Sequence, residues 1–532
     1  MKNISKSELS LSRSKLYSLA LLEGGVGIAI EVFGAKMLAP FYGTAFIVWT
    51  SVLGVTFFSL SLGYYLGAKI SQQENPQRSL LKLILASAFS IEFMLIFATP
   101  MFSFFGNMNI YIGCVFNFLF LIGPALLCIG TFSPIIIQLL SDVYTTGGKN
   151  SGLVYSLSTT GGIFATFLLG FYIIPTWGIS IPLLFAGIVM LFIWIIIGWK
   201  FLTFINKIVP LLLFSGVGIF LLLPAKFNKE AAFRIRYNTE GLFGQLKVVD
   251  KHDMEAGYQA RHLLINGIPQ SRILNKPSAY SCWKYVHKIA MYSSLKKNGK
   301  SAVLFGLGAG SVSSELARLG LRVDAVEIDG RMLEIAKKYF YYSDTSTSVF
   351  VDDARHYLRT TNKKYDLAVF DVANGEVQPS YVFTKESFQE LKQCLTPNGV
   401  VLIEFQEFLE KGKTPVFMSI MRTMENAGFF VYFSADAVIG FTDIIIVASP
   451  LQVDFSLLKR ENMTICCAAQ PWSQEILANL PSSIKVYPYD TFIFTDNQPM
   501  LDILNLVTLR KWRENMIIFS KEELAGGYRL YR

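Results

Sequence analysis

Charge is spread so unevenly along this chain that its distribution constrains the architecture more than any motif. The sequence holds 48 Lys and Arg and 39 Asp and Glu, yet residues 1–225 contain only 11 and 6 of them. Soluble domains carry about a quarter of their residues as charges, so this stretch cannot be one, whereas the remainder has ordinary soluble composition. The pattern predicts a multi-pass α-helical membrane domain over 1–225 with soluble structure after it, which the strand and helix patterns of that half divide into a small antiparallel β subdomain with a linker helix over 226–299 and an α/β domain over 300–532. It excludes a fibrous chain, a disordered chain and a single soluble enzyme. The net charge of +9 divides about evenly between the halves, so neither is basic enough to suggest nucleic acid. The six cysteines, at 114, 128, 282, 394, 466 and 467, form no CxxC pair and no Cys/His cluster, so neither a metal site nor a disulfide framework is expected. Adjacent Cys466 and Cys467 read as buried packing.

A membrane span needs about 20 predominantly apolar residues. Seven stretches qualify, roughly 16–38, 45–70, 80–105, 109–139, 151–174, 180–199 and 208–224. The first is too long and too charged for a cleavable signal. Lys2, Lys6, Arg13 and Lys15 precede it, and Lys69, Arg78, Lys82, Lys149, Lys200 and Lys207 fall in alternate loops. The intervening loops around 39–44, 106–108 and 175–179 carry no Lys or Arg. The positive-inside rule then places the N-terminus in the cytoplasm. Seven spans would put the soluble half outside; if 208–224, which is followed by Lys226 and Lys229, is re-entrant or interfacial, that half stays inside. Glu23, Glu31 and Glu92 lie within apolar spans, where a carboxylate is costly. Each is read either as functional or as protonated or bonded to neighbouring helices, and Lys36, five residues after Glu31, is poorly placed to pair with it. Gly24-Gly25 with Pro40-x-x-Gly43 and Gly161-Gly162 with Pro175-x-x-Gly178 hint at an internal repeat.

After residue 227 the pattern turns strand-like. Gly244–Asp250 and His262–Arg272 are short alternating runs, the second turning at Asn266-Gly267, a two-residue hairpin signal. Residues 301–310, SAVLFGLGAG, end in Gly306-x-Gly308-x-Gly310 and lead into a helix and a second strand, RVDAVEI at 322–328, which closes on Glu327. Strand, glycine turn, helix and strand with a terminal carboxylate make a mononucleotide-binding half. The glycines admit a ligand close to the backbone, and the carboxylate can take both ribose hydroxyls. The alternation continues with helix Arg331–Tyr339, strand Ser348–Val351, the Asp352-Asp353-Ala354 turn, helix Arg355–Thr360 and strand Tyr365–Phe370, which ends at Asp371. A loop over 372–383 precedes helix Lys385–Leu395, a turn at Pro397-Asn398-Gly399 and strand Val400–Phe405. Gly428–Phe433 and Asp443–Ala448 read as a hairpin-like pair. Parallel strands thereby bring Glu327, Asp353 and Asp371 to one sheet edge, where such folds bind ligands.

The run from about 240 to 405 resembles the spermidine synthase (polyamine aminopropyltransferase) family within the class I methyltransferase-like Rossmann folds. EVFGAKMLAPFYGTAFIVWTSVLGV at 31–55 and YSLSTTGGIFATFLLGFYIIPTWG at 155–178 are similar to the membrane segments of multi-spanning bacterial proteins that carry such a domain. TDNQPMLDIL at 495–504 resembles their C-terminal signature. The resemblance implies a bacterial inner membrane location, a cofactor that is S-adenosylmethionine or its decarboxylated form, no metal, and a small amine or polyamine as substrate. It implies that Gly306, Gly308 and Gly310 lie under the nucleoside, that Glu327 holds the ribose and that Asp353 reads the adenine amino group. Asp371 then takes the proton of the attacking amine, Gln270 lies near the nucleoside, and Asn374 and Pro379 belong to the substrate loop.

The sequence departs from the family in the amine half. The aspartate of the glycine turn is replaced by Ala309, the second aspartate of the substrate loop by Asn374, and the tyrosine–histidine element is out of register among Tyr280, Tyr285 and His287. An aminopropyl donor and a polyamine are both cationic, and a buried ammonium without a counter-charge is heavily penalised. Three readings stay open: an aminopropyl-type transferase; a degenerate domain serving as scaffold or ligand sensor in a membrane transport or envelope complex or a homo-oligomer; and a methyltransferase.

Overall fold

A computed structural model describes residues 11–43, 46–106, 108–141, 146–199, 204–222, 233–253, 258–275, 280–296, 299–343, 345–458, 480–484 and 486–525. Lys2, Lys6, Lys200, Lys226, Lys229, the Cys466-Cys467 pair and the last two residues of the expected 208–224 span lie outside them. Two compact units emerge: one comprises residues 1–230, 239–245 and 518–532, the other residues 231–238 and 246–517.

Among the described residues of the first unit six helices are long and apolar enough to cross a membrane: Arg13–Tyr42, Val48–Ser71, Pro76–Phe102, Gly123–Leu140, Gly147–Trp177 and Ser180–Gly198. They correspond to six of the seven expected spans. The seventh candidate falls in helix Phe204–Leu222, which contains Pro210; the apolar part of it that is described covers Lys207–Gly216. The expected 109–139 span is broken into Ile110–Leu121, Gly123–Gly130 and Phe132–Leu140. Pro124 and Pro134 explain the breaks, since each removes a backbone donor.

The two Gly-Gly pairs that hinted at a repeat pack on one another. A Cβ at Gly24 would lie 1.8 Å from the Ser158 carbonyl oxygen, and one at Gly161 would lie 1.8 Å from that of Leu21. Lipid offers no hydrophobic drive for helix association, so close backbone approach through small residues supplies it. Beside this crossing, buried Glu23 accepts the Ser133 hydroxyl at 2.8–2.9 Å. Glu31 is half-buried, and Lys36 donates to the Leu242 carbonyl at 2.9 Å. Glu92 is 1% exposed, and among the described residues neither of its carboxyl oxygens has a partner. Glu240 accepts the backbone N–H groups of Ile179 and Ser180 at 2.7 and 3.0 Å, an anion placed at a helix N-terminus.

The second unit carries two sheets. β1 (Phe233–Thr239), β2 (Leu246–Asp253), β3 (Tyr258–Ile265) and β4 (Ile268–Leu274) form the first, in that order. Asn266 and Gly267 turn β3 into β4 with φ of 49° and 78°, the paired left-handed conformation of a type I′ hairpin. The second sheet contains β5 (Ser301–Phe305), β6 (Arg322–Glu327), β7 (Thr347–Val351), β8 (Tyr365–Phe370), β9 (Leu395–Leu409), β10 (Phe430–Ala435) and β11 (Gly440–Ser449). Its order is β10-β11-β9-β8-β5-β6-β7. β5 is parallel to β6 and β8, β6 to β7, and β8 to β9, whereas β11 runs antiparallel to both neighbours. This is the mixed sheet of a methyltransferase-like Rossmann fold. Its central strands are apolar runs because packed clusters cover both faces.

β9 differs from expectation. It runs through the anticipated turn at 397–399, with a register break against β8 between Tyr365 and Leu367. It also extends to Leu409, because β11 pairs with it as far as Gly440–Leu409.

The glycine crossing gives a direct test. Gly161→Leu is expected to destabilise the detergent-extracted chain by on the order of 1–3 kcal/mol through overpacking. Gly27→Leu, with nothing within 4 Å of the added Cβ, is expected to leave thermal unfolding nearly unchanged.

Candidate active site

Acidic side chains line the carboxyl edge of the large sheet, and each is placed there by a strand end. Following the strand order, they are Asp443 on β11, Glu404 on β9, Asp371 just after β8, Glu327 at the end of β6 and Asp353 just beyond β7. Between Asp371 and Glu327 stands the glycine turn that follows β5.

That turn is shaped for close backbone approach. Gly306 has φ of 89°, and a Cβ there would meet the Asp371 carbonyl oxygen at 2.1 Å; at Gly310, with φ of 81°, it would strike the Tyr342 ring at 2.2 Å. Gly308 sits over Ser271, whose hydroxyl accepts the Ala309 N–H at 3.2 Å. β4 is thus fastened above the turn. The small sheet is also fixed to helix Met332–Tyr339 by Arg261, which donates to the Tyr339 carbonyl at 2.7 Å. Ala309 is buried with Val248, Leu263 and Ile273 in one apolar cluster; a carboxylate at this position would enter apolar surroundings.

Both oxygens of Glu327 accept backbone N–H groups. One accepts Leu307 N–H at 2.9 Å and Gly308 N–H at 3.4 Å; the other accepts Asp329 N–H at 3.0 Å. Burial pushes its carboxyl above the usual carboxylate range despite these bonds. Asp353 caps helix Ala354–Thr360 through Arg355 and His356 N–H. Its second oxygen takes the Tyr381 hydroxyl at 2.6 Å. A cavity of about 380 Å³ opens there, lined by Asp353, Arg355, His356, Arg359, Tyr381, Asp496 and Pro499. Asp496, from the TDNQPM signature, holds Arg355 at 2.5 and 2.8 Å and accepts the Thr384 hydroxyl at 2.7 Å, joining the helices that start at 354 and 385.

Gln270 on β4 points its amide to the Gly375 carbonyl, at 2.9 Å, and so reaches the loop after β8. In that loop Asn374 and Val377 close a small bridge, and Pro379 precedes the 3-10 turn Ser380–Val382. Arg513 secures the loop: it pairs with buried Glu376 and donates to the Asn266 carbonyl at 2.6 Å. The intramembrane residues Glu23, Glu31 and Glu92 belong to the other unit.

The β8, β9 and β11 end of the row contains groups that the sequence reading did not place in the site. Tyr285, set aside on spacing, donates its hydroxyl to Asp371 at 3.2 Å. His287 is directed elsewhere, its ring nitrogen 2.9 Å from the Ser281 carbonyl. Glu404 follows the last registered β8–β9 pair, Phe370–Ile403, which stands it beside Asp371. Asp443 is registered opposite Gln406. Desolvation raises Asp371 to about 7, with the charges of Asp443 and Glu327 adding to the rise and the Tyr285 hydrogen bond opposing it. Asp443 is raised to about 6, first by burial and then by Asp436. Glu404 is pushed well up by burial and by its acidic neighbours. One signal could have found the last two: a carboxylate inside an otherwise apolar strand, VVLIEF at 400–405 and DIIIVA at 443–448. Among the described residues no group of His, Cys, Asp or Glu is arranged to hold a metal ion.

Residues 285–446 match the spermine/spermidine synthase domain. The chain is 24% identical over 424 residues to a polyamine aminopropyltransferase 2 of Aquifex aeolicus, covering 77% of this chain and 82% of that protein. It is 40% identical over 106 residues to a polyamine aminopropyltransferase of Vibrio vulnificus, spanning 19% of this chain and 36% of that one. Among solved structures, spermidine synthase from Thermotoga maritima aligns over 54% of this chain and 89% of its own, at 15% identity and a TM-score of 0.35.

Folded Asp371 keeps its proton up to about pH 7, whereas an unfolded aspartate releases it near 3.8. The folded state therefore binds the extra proton in that window, and stability falls as pH rises through it. Asp371→Asn is expected to remove part of that fall, leaving the variant more stable than the parent at pH 8 by at least about 1 kcal/mol. Denaturant unfolding of the full chain at pH 5 and pH 8 checks this.

Proposed function

Starting from a chain that carries a spermidine synthase domain, we propose that it is a membrane-bound aminopropyltransferase that uses decarboxylated S-adenosylmethionine and an amine. The observation that carries this reading is Asp371 at the reactive end of the acid row, held by the Tyr285 hydroxyl and raised to about 7. Its proton affinity suits a base working near neutral pH.

The donor nucleoside fits the residues present. The glycine turn has no Cβ to obstruct it, Glu327 presents an immobilised carboxylate beside the turn, and the cavity at Asp353 has the size and polarity to take a base. In this mechanism the amine nitrogen attacks the methylene carbon next to the donor's sulfonium. The new C–N bond forms as the C–S bond breaks, and its electron pair leaves on sulfur as a neutral thioether. Asp371, as carboxylate, takes the proton released from nitrogen. Tyr285 orients the carboxylate, and the buried sheet edge limits water, so positioning and charge placement carry the rate.

With six spans and the N-terminus in the cytoplasm, as the positive-inside rule expects, both ends of the membrane domain would share the cytoplasmic side. Reporters fused after Arg532 are expected to be active only when they require the cytoplasm; activity only outside would contradict this placement.

Purified full-length chain given decarboxylated S-adenosylmethionine and 1,4-diaminobutane is expected to release methylthioadenosine in an amine-dependent way. Asp371→Asn is expected to lower kcat/KM by roughly 10²–10⁴ and to remove an ascending pH limb near 7. Unchanged turnover in that variant would rule Asp371 out as the base.

A further inference from the structure

The loop between β8 and helix Lys385–Gln393 is held from outside the matched synthase domain. Its tip is the two-residue turn Gly375-Glu376, flanked by Asn374 and Val377, each of which donates its N–H to the other's carbonyl, at 2.8 and 3.4 Å. Gly375 has φ of 68°, a conformation that glycine adopts at no steric cost. Ordering a loop costs conformational entropy at every residue, so a loop kept in one place needs bonds from other elements.

Residues 494–513 supply them. Lys385 donates its N–H to the Phe494 carbonyl at 2.8 Å, and Asp496 accepts the Thr384 hydroxyl at 2.7 Å. Asp502 accepts the Ser380 hydroxyl at 3.1 Å, and Arg513 pairs with Glu376. As the chain advances from 494 to 513 its contacts retreat from 385 to 376. The C-terminal segment therefore runs back along the loop as a strap. All of its contact residues lie beyond residue 446, where the match to the synthase domain ends.

The contacts differ in kind. The Ser380–Asp502 bond is exposed, whereas Arg513 and Glu376 are 2% and 4% exposed. Arg513 also donates to the Asn266 carbonyl at 2.6 Å, at the turn between β3 and β4, while Gln270 on β4 donates to the Gly375 carbonyl at 2.9 Å. Both residues of the tip are thus gripped, Gly375 by β4 and Glu376 by a guanidinium braced against the same hairpin. A planar fork of N–H groups can serve two acceptors at once in fixed directions; a lysine ammonium cannot reproduce that geometry. A buried ion pair is a poor source of stability in itself. What this one supplies is a fixed position for the tip.

Position matters because of what the loop joins. It begins at Asp371, assigned above as the proton acceptor, and leads to Tyr381, whose hydroxyl meets Asp353 at 2.6 Å beside the cavity assigned to the nucleoside. We propose that Arg513 is a positioning residue of the active site: by holding Glu376 against the β3–β4 hairpin it sets the path of the loop after Asp371. The C-terminal strap thereby completes a site that residues 285–446 leave unfixed. The effect on turnover rests on the transferase reading above; the effect on the loop does not.

The test pairs hydrogen exchange of the full chain in detergent with turnover of decarboxylated S-adenosylmethionine and 1,4-diaminobutane. Arg513→Met is expected to speed exchange in peptides covering 372–383 by at least about tenfold, the value of one hydrogen bond to a charged group, with exchange in β5, β6 and β8 unchanged. Its kcat is expected to fall by a similar factor, with a smaller change in KM for the nucleoside, since Glu327 is bonded to the glycine turn without the loop. Arg513→Lys is expected to recover only part of both. The double variant Arg513→Met/Glu376→Gln leaves no buried charge alone, so it stays folded where a single variant does not, and it is expected to match Arg513→Met rather than to add to it. Wild-type exchange and kcat in the double variant would overturn the proposal, as would faster exchange spread evenly over both sheets. A loop loosened in the variants of a chain that shows no turnover as wild type would sustain the strap and strike the transferase reading instead.

Discussion

Glu327, Asp371, Glu404 and Asp443 stand side by side where burial penalises each charge and each carboxyl raises the proton affinity of its neighbours. The surrounding architecture can be understood through this arrangement. Parallel strands deliver their ends to one edge, the antiparallel β11 brings Asp443 to the same edge, and the long β9 exposes Glu404 beyond the last β8 pair. The groups are not equivalent. Glu327 has its charge met by two backbone N–H groups of the glycine turn and by that of Asp329, so it can stay fixed. Asp371 has a single tyrosine hydroxyl. Glu404 keeps one oxygen bare. Along the row the acids on the β6 and β7 side are held by backbone N–H groups, whereas Glu404 on β9 leaves one oxygen without a partner among the described residues.

The same logic explains the two positions at which the chain departs from the family it resembles. Ala309 faces an apolar cluster, and Asn374 is neutral. Counting carboxylates at those positions alone makes the amine half look depleted. Counting them by place in the fold does not, because β9 and β11 contribute acids to the same end of the sheet.

Much of this was legible in the sequence. The charge deficit before residue 225, the Asn266-Gly267 hairpin and the βαβ alternation from 301 to 405 all rest on local physics: span length, turn dihedrals and strand period. The glycine turn and the acids at 327, 353 and 371 could be placed on one edge because parallel strands leave no other option. The parts that were not legible depend on tertiary context. β9 was cut at a Pro-Asn-Gly turn that a register break absorbs. Tyr285 was set aside on spacing, although the helix that carries it brings its hydroxyl to Asp371. Glu404 and Asp443 were read as parts of apolar strands, since only the pairing of β9 with β11 brings them together.

The central claim is that the reactive end of the site is anionic and built for ammonium groups. The most direct measurement is the relative affinity of the full-length chain for S-adenosylmethionine and its decarboxylated form, which differ by one carboxylate at that end. The account predicts tighter binding of the decarboxylated nucleoside by at least about tenfold, because the extra carboxylate would meet Asp371, Glu404 and Asp443. Tighter binding of S-adenosylmethionine itself would contradict the account and favour methyl transfer.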